Sequence, residues 1–139
     1  MDEGSILAEQ ILDQVADALI FADRSGTIRR WNLAAAALFG FPAEEALGQS
    51  LDLIIPEYLR TAHWRGFDAA MKNVALKLQG RPTLTRGLHK NGRKLYVEMT
   101  FAPIAADGEA LVSVAVARDV TERVERDRAA GAQSNSAAA

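Results

Sequence analysis

His89-Lys90-Asn91-Gly92-Arg93-Lys94-Leu95-Tyr96-Val97-Glu98-Met99-Thr100-Phe101-Ala102-Pro103 is the stretch that decides the fold class. From Lys94 to Pro103, Leu95, Val97, Met99 and Phe101 fall on one side while Tyr96, Glu98 and Thr100 fall on the other. A period of two is that of a half-buried strand. Asn91-Gly92 ahead of it fits a type I′ hairpin turn, because both central positions of that turn need positive φ. Thr83 to Leu88 then reads as the preceding strand. Asp107-Gly108 marks a second turn, leading into Leu111 to Arg118 as the third strand of a meander.

Towards the N-terminus the period changes to that of helices. The longest amphipathic stretch runs from about Glu57 to Val74, with Leu59, Phe67, Ala70, Met71 and Val74 as its apolar positions. His63 lies four residues after Leu59 and four before Phe67, so all three share a face. Asn32 sits where an N-cap belongs, ahead of the alanine-rich Leu33 to Phe39, and Gly40 is placed to end that helix. Pro42 with Glu44 and Glu45 opens a short helix that Gly48 closes. Ala18 to Ala22 and Thr27 to Trp31, joined by Asp23-Arg24-Ser25-Gly26, form another hairpin. Leu7, Ile11 and Val15 recur at helical spacing in Ser5 to Asp17, with Ser5 as N-cap.

Beyond the meander, Asp119 and Glu122 have capping-box spacing for a last helix, Val120 to about Ala130. The remainder, 131–139, is small and polar and reads as a disordered tail or linker. The chain therefore divides into a flanking helix (1–17), a core (18–119), a C-terminal helix (120–130) and a tail. Five antiparallel strands with helices over one face make an α+β domain.

The 139 residues suit one domain, and 49% hydrophobic with 24% charged residues is an ordinary globular balance. A net charge of −2 with interspersed signs gives no case for nucleic acid. No apolar run nears the roughly 18 residues of a membrane span. The acidic start, Met1-Asp2-Glu3, has no apolar region behind it, so the expected location is the cytoplasm. Cysteine is absent, which removes disulfides, thiolate metal sites, cysteine nucleophiles and cysteine-adduct photochemistry together. No nucleophile–base constellation, phosphate loop or HExxH motif occurs, so an enzyme is not expected. With two histidines, a multi-histidine metal site within one chain is excluded.

In their order and spacing, several segments together resemble the PAS family over nearly all of residues 5–128. They are Ala18 to Asp23, Gly26-Thr27-Ile28, Trp31-Asn32, Leu38-Phe39-Gly40, Glu45 to Gly48, Lys90-Asn91-Gly92 and Arg118 to Arg123. That resemblance implies a PAS fold, a five-stranded antiparallel sheet cupped by short helices around a small-molecule pocket. Family members sense ligands, light or redox state and signal through flanking helices and dimer contacts, so a homodimer is expected. The apolar faces of residues 5–17 and 120–130 are then the output and dimer surfaces.

Ile55-Pro56-Glu57-Tyr58-Leu59-Arg60-Thr61-Ala62-His63 further resembles the start of the long helix in the haem-binding oxygen-sensor kinases of bacterial nitrogen-fixation control. Pro56, Glu57, Arg60 and His63 match, and His63 falls on the proximal iron ligand. The same register places Leu78, Met99 and Phe101 on the ligand side of haem b, with Met99 also a sixth-ligand candidate. Arg60, Arg65 and Lys77 become candidates for the haem propionates, and Leu59 and Phe67 for the His63 side of the pocket. Thr83 stands where those sensors carry a distal arginine, with Arg81 and Arg86 nearby, which argues against oxygen among diatomic gases. The residues alone leave His63 open as a core histidine, Met99 as packing and Trp64 as a residue at the pocket rim or, preferably, at an interface or the surface. They leave His89 exposed in its turn without a role. The alternative to haem is an interaction module that is empty or binds another small molecule such as flavin (FAD).

Overall fold

The computed structural model describes residues 2–72, 82–106 and 109–138. Helix α1 (Glu3–Gln14) leads to β1 (Ala18–Asp23) and β2 (Ile28–Trp31). Helices α2 (Leu33–Phe39) and α3 (Ala43–Ala46), two 3₁₀ turns (Leu51–Ile54 and Glu57–Leu59) and α4 (Arg60–Lys72) follow. Then come β3 (Thr83–Leu88), β4 (Lys94–Ala106), β5 (Glu109–Asp119) and α5 (Thr121–Ala138). The strands form one antiparallel sheet in the order β2-β1-β5-β4-β3, so β5 is central and β2 and β3 are the edges.

Alternation along β4 places Leu95 and Val97 in the core, at 0% and 2% exposure, with Met99 and Phe101 half-buried on the same face. Cross-strand pairing sets the rest of that inner face. Ala18, Ile20 and Ala22 of β1 lie opposite Ala117, Ala115 and Ser113 of β5. Phe39 of α2 and Phe67 and Met71 of α4 close over it.

Asn32 caps α2 as expected, its Oδ1 accepting from Ala35 N–H at 2.9 Å. The same oxygen accepts from Leu19 N–H at 2.9 Å. Its Nδ2 donates to the Leu12 and Asp17 carbonyls at 2.7 and 3.0 Å. Gly40, at φ 83°, ends α2 in the left-handed conformation that glycine adopts without penalty.

Several boundaries differ from the sequence expectation. Helix α1 is capped by Asp2, not Ser5; Asp2 Oδ1 accepts from Ser5 N–H at 2.8 Å, so the cap lies three residues earlier. The long helix opens with a 3₁₀ turn and becomes α-helical only at Arg60, while Asn73 and Val74 lie outside the described residues. The Asn91-Gly92 hairpin is not a two-residue type I′ turn. Gly92 N–H donates to the His89 carbonyl at 2.8 Å and Gly92 has φ 89°, giving a three-residue turn that ends on a left-handed glycine. Strand β4 continues past Pro103, because the β3 ladder ends opposite Met99 and proline's missing N–H breaks no bond there. Helix α5 runs on through Gly131 to Ala138, where the composition reads as a tail.

His89 is not idle. Its ring covers Gly40, where a Cβ would come within 2.4 Å of the imidazole. Lys90 N–H donates to the Phe39 carbonyl at 2.8 Å, and its ammonium pairs with Glu45 at 2.7 Å. These contacts dock the β3–β4 hairpin on α2 and α3.

Replacing Asn32 with Ala removes the cap and orphans buried backbone groups of α1, β1 and α2 at once. A capping loss of about 1 kcal/mol and about 1–3 kcal/mol for each unsatisfied group set the scale. Urea unfolding of Asn32→Ala is expected to show a loss of about 3 kcal/mol or more.

Candidate functional site

A cavity of about 310 Å³ lies between the inner sheet face and the segment from Leu51 to His63. Its floor exists because β5 alternates in volume. Val112, Val114 and Val116 lie on the outer face, while Ser113, Ala115 and Ala117 face inward beside Ala22 of β1 and Gly87 of β3. Small side chains there leave the space that valine or leucine would fill. The opposite wall comes from Leu51, Ile54, Ile55, Leu59, Ala62 and His63.

His63 is the polar group of greatest consequence. It is half-buried, and its Nδ1 is buried with no hydrogen-bond partner among the described residues. Its ring meets Trp64 edge-on at 4.8 Å and Phe67 at 6.0 Å. Burial pushes the imidazole below its ordinary pKa, and the Asp52 carboxylate offsets this only in part. The ring is thus a neutral imidazole with a free nitrogen at the edge of an apolar cavity, able to accept a hydrogen bond or bind a metal.

The other candidates are placed unevenly. Leu59, Met99 and Phe101 line the same cavity as His63. Phe67 stands behind the wall, its ring 6.2 Å from that of Phe101. Arg60 is engaged locally, donating to the Ile55 carbonyl at 3.1 Å and the Asp52 carbonyl at 3.3 Å. Arg65 is exposed, and Lys77, Leu78 and Arg81 lie outside the described residues. Thr83 pairs with Met99 and so belongs to the inner face of β3, though it is exposed at the sheet edge. Among the described residues no group of three or more His, Asp or Glu is arranged to hold a metal ion. None of their helices is long and apolar enough to cross a membrane.

Trp64 differs from its expected interface or surface role. Its Nε1 donates to Asp52 Oδ1 at 2.7 Å, and its ring fills the notch left by Gly26, where a Cβ would come within 2.1 Å. Sequence reasoning missed Asp52, Thr85 and Ser113, and noted Arg86 only as a neighbour of Thr83. The Val-Ser-Val-Ala-Val-Ala run, 112–117, carried the signal for the cavity floor, since a strand that alternates large and small leaves one face hollow.

A histidine with a depressed folded-state pKa is neutral in both states above 6.5. As pH falls below that value the unfolded chain takes up a proton first, so stability declines towards the folded midpoint. An NMR titration of His63 is expected to give a midpoint below 6.5, and His63→Gln should flatten the acid limb of stability.

Residues 12–125 match the family model described as the PAS fold. The sensor protein FixL of Bradyrhizobium diazoefficiens is 28% identical over 112 residues, 81% of this chain and 22% of that protein. The oxygen sensor protein DosP of Escherichia coli is 24% identical over 110 residues, 79% of this chain and 14% of that protein. The chain thus spans less than a quarter of the length of either relative. Among solved structures, a PAS domain from Colwellia psychrerythraea superposes with a TM-score of 0.73 at 25% identity, covering 87% of this chain and 99% of that one. With the five-stranded antiparallel sheet and its small-floored cavity, these matches establish that the chain belongs to the PAS domain family, a family of sensory modules.

Proposed function

We propose that this PAS domain is a haem-dependent gas or redox sensor in which His63 supplies the axial imidazole for haem b. The observation that carries the proposal is the buried Nδ1 of a neutral His63 at the wall of an apolar cavity, without a hydrogen-bond partner among the described residues. The donor chemistry fits, because neutral imidazole is the usual proximal ligand of sensory and oxygen-binding haem. Bound haem would supply reversible gas binding or one-electron redox change at iron. Leu59, Met99 and Phe101 exclude water from the same space, and Met99 is the candidate for a sixth ligand. For the propionates, Arg60 is already turned to backbone carbonyls, and the exposed Arg65 and Lys77 are the other candidates that the sequence offers, Lys77 lying outside the described residues. Thr83 offers a short hydroxyl where the resembling sensors carry a cation, which favours redox change or a less polar gas over oxygen. The similarity to DosP, an oxygen sensor protein, supports a gas-sensing role for this domain.

Output runs through the flanking helices of a homodimer. Support comes from α1, where Ile6, Leu7 and Ile11 are 45–57% exposed although they form one apolar stripe. The domain acts on a downstream partner as a sensory module, not as an enzyme.

One observation favours a second reading. The cavity, at about 310 Å³, is at the small end of ligand sites, and the lining residue Phe101 is backed by Phe67, which meets it edge-on from behind the wall. Haem binding would part those rings, whereas a smaller apolar ligand would leave them in place. The alternative is a haem-free interaction module, empty or holding a small molecule such as a flavin.

Titration of the purified chain with haem, followed by its Soret absorbance, separates the two. A saturable one-to-one band is expected, with His63→Ala weakening affinity by at least about tenfold. An unchanged band and affinity in His63→Ala removes His63 as the ligand. A colourless protein, or flavin fluorescence as purified, supports the second reading.

A further inference from the structure

Arg86 of β3 has one side in the cavity and the other on the outer sheet face. It lines the cavity, yet in register it lies opposite Tyr96 of β4, whose ring faces outward. Its Nη1 donates to the Tyr58 hydroxyl at 2.8 Å, and Tyr58 precedes the cavity residue Leu59 in the 3₁₀ turn before α4. The Arg86 guanidinium also lies 5.4 Å from the Tyr96 ring centroid. The Arg128 guanidinium, from α5, lies 4.9 Å from that same ring. Among the described residues neither arginine is paired with a carboxylate.

Tyr96 is also the residue on which α5 is mounted. Its N–H donates to Thr121 Oγ1 at 2.9 Å, and its carbonyl accepts from Val120 N–H at 2.9 Å. Tyr58, Arg86, Tyr96 and Arg128 therefore form a continuous path from the cavity wall to the C-terminal helix. We propose that this path is the coupling element of the domain, with Arg86 as the residue that reports the state of the cavity to α5. A ligand seated against Leu59 shifts the Glu57–Leu59 turn and with it the Tyr58 hydroxyl that holds Arg86. Because two guanidinium cations share one ring, a change in the position of Arg86 alters how Tyr96 holds Arg128. Two positions of Arg86, bonded to Tyr58 or released, give the two states that such coupling requires.

The proposal rests on the haem reading only for the ligand used as probe, and a ligand-free measurement tests it separately. Hydrogen exchange of amides 121–132 is followed in Arg86→Gln, Arg128→Gln and the double variant, all without cofactor. Each single change is expected to speed exchange by about two- to fivefold, the range of an exposed cation–π contact. If the path is continuous, the double variant exchanges at a rate well short of the product of the two effects. A multiplicative double variant would make the arginines independent and overturn the proposal.

The same exchange is then compared before and after haem loading. The parent chain should change by at least about twofold over 121–132, while Arg128→Gln, with its Soret band intact, should not. A full response in Arg128→Gln overturns the proposal as well. If no Soret band forms in any variant, the cofactor assignment fails, and the ligand-free cycle alone decides the coupling.

Discussion

Asn32 uses both lone pairs of its amide oxygen and both amide protons in one buried place. Each bond goes to a different part of the chain: the end of α1, the link to β1, β1 itself and the first turn of α2. In a low-dielectric interior a fully satisfied amide is favourable and a half-satisfied one is costly, so the four segments hold one mutual position or none. Fixing β1 fixes more than a strand. Ile20 is paired with Ala115, and Ala115 with Phe101, so the register of the inner face passes from β1 through β5 to β4. The cavity floor is a consequence of that register, since a slip of one residue would turn the valines of β5 inward and fill the space.

A hollow in a protein interior forfeits dispersion contacts, and a domain that keeps one must be stable elsewhere. Here the support lies at the rim. Trp31 donates its Nε1 proton to the Phe41 carbonyl at 2.8 Å and packs on Phe39 at 5.6 Å. Asp23 holds the β1–β2 turn by accepting from Ser25 and Thr27 N–H. The Lys90–Glu45 pair, half-exposed on both sides, adds little energy by itself but orients the hairpin beside the His89–Gly40 contact.

Much of this was legible in the residues because it depends on local rules. Alternation from Lys94 to Phe101 named the inward face correctly, and Asn32 and Gly40 marked the two ends of α2. Helix and turn boundaries were less legible where two local signals compete. Ser5 and Asp2 are both good caps, and the earlier one wins because its carboxylate reaches Ser5 N–H. Asn91-Gly92 fits two hairpin types, and the choice falls to the one that lets His89 reach Gly40. The site was half legible. The apolar company of His63 followed from helical spacing, but the Trp64 bond to Asp52 crosses between elements that no local pattern connects. Arg86 was noted only as a neighbour of Thr83; its bond to Tyr58 spans 28 residues, and its ring contact depends on the sheet register.

The two sides of α4 differ in a way that bears on sensing. At Trp64 the helix is fastened, since the indole is hydrogen-bonded to Asp52 and keyed into the bare backbone of Gly26 at φ 78°. One residue earlier, His63 faces a space whose floor is alanine and serine, with no hydrogen-bond partner for its Nδ1 among the described residues. A force on the imidazole therefore acts on a helix pinned close by, and a pinned helix turns more readily than it slides. Turning moves the end nearest the cavity mouth, where Tyr58 and Leu59 precede α4. The fastening at Trp64 is thus also what would direct motion towards Tyr58 and so towards Arg86, a cavity-lining residue whose guanidinium is bonded to the Tyr58 hydroxyl.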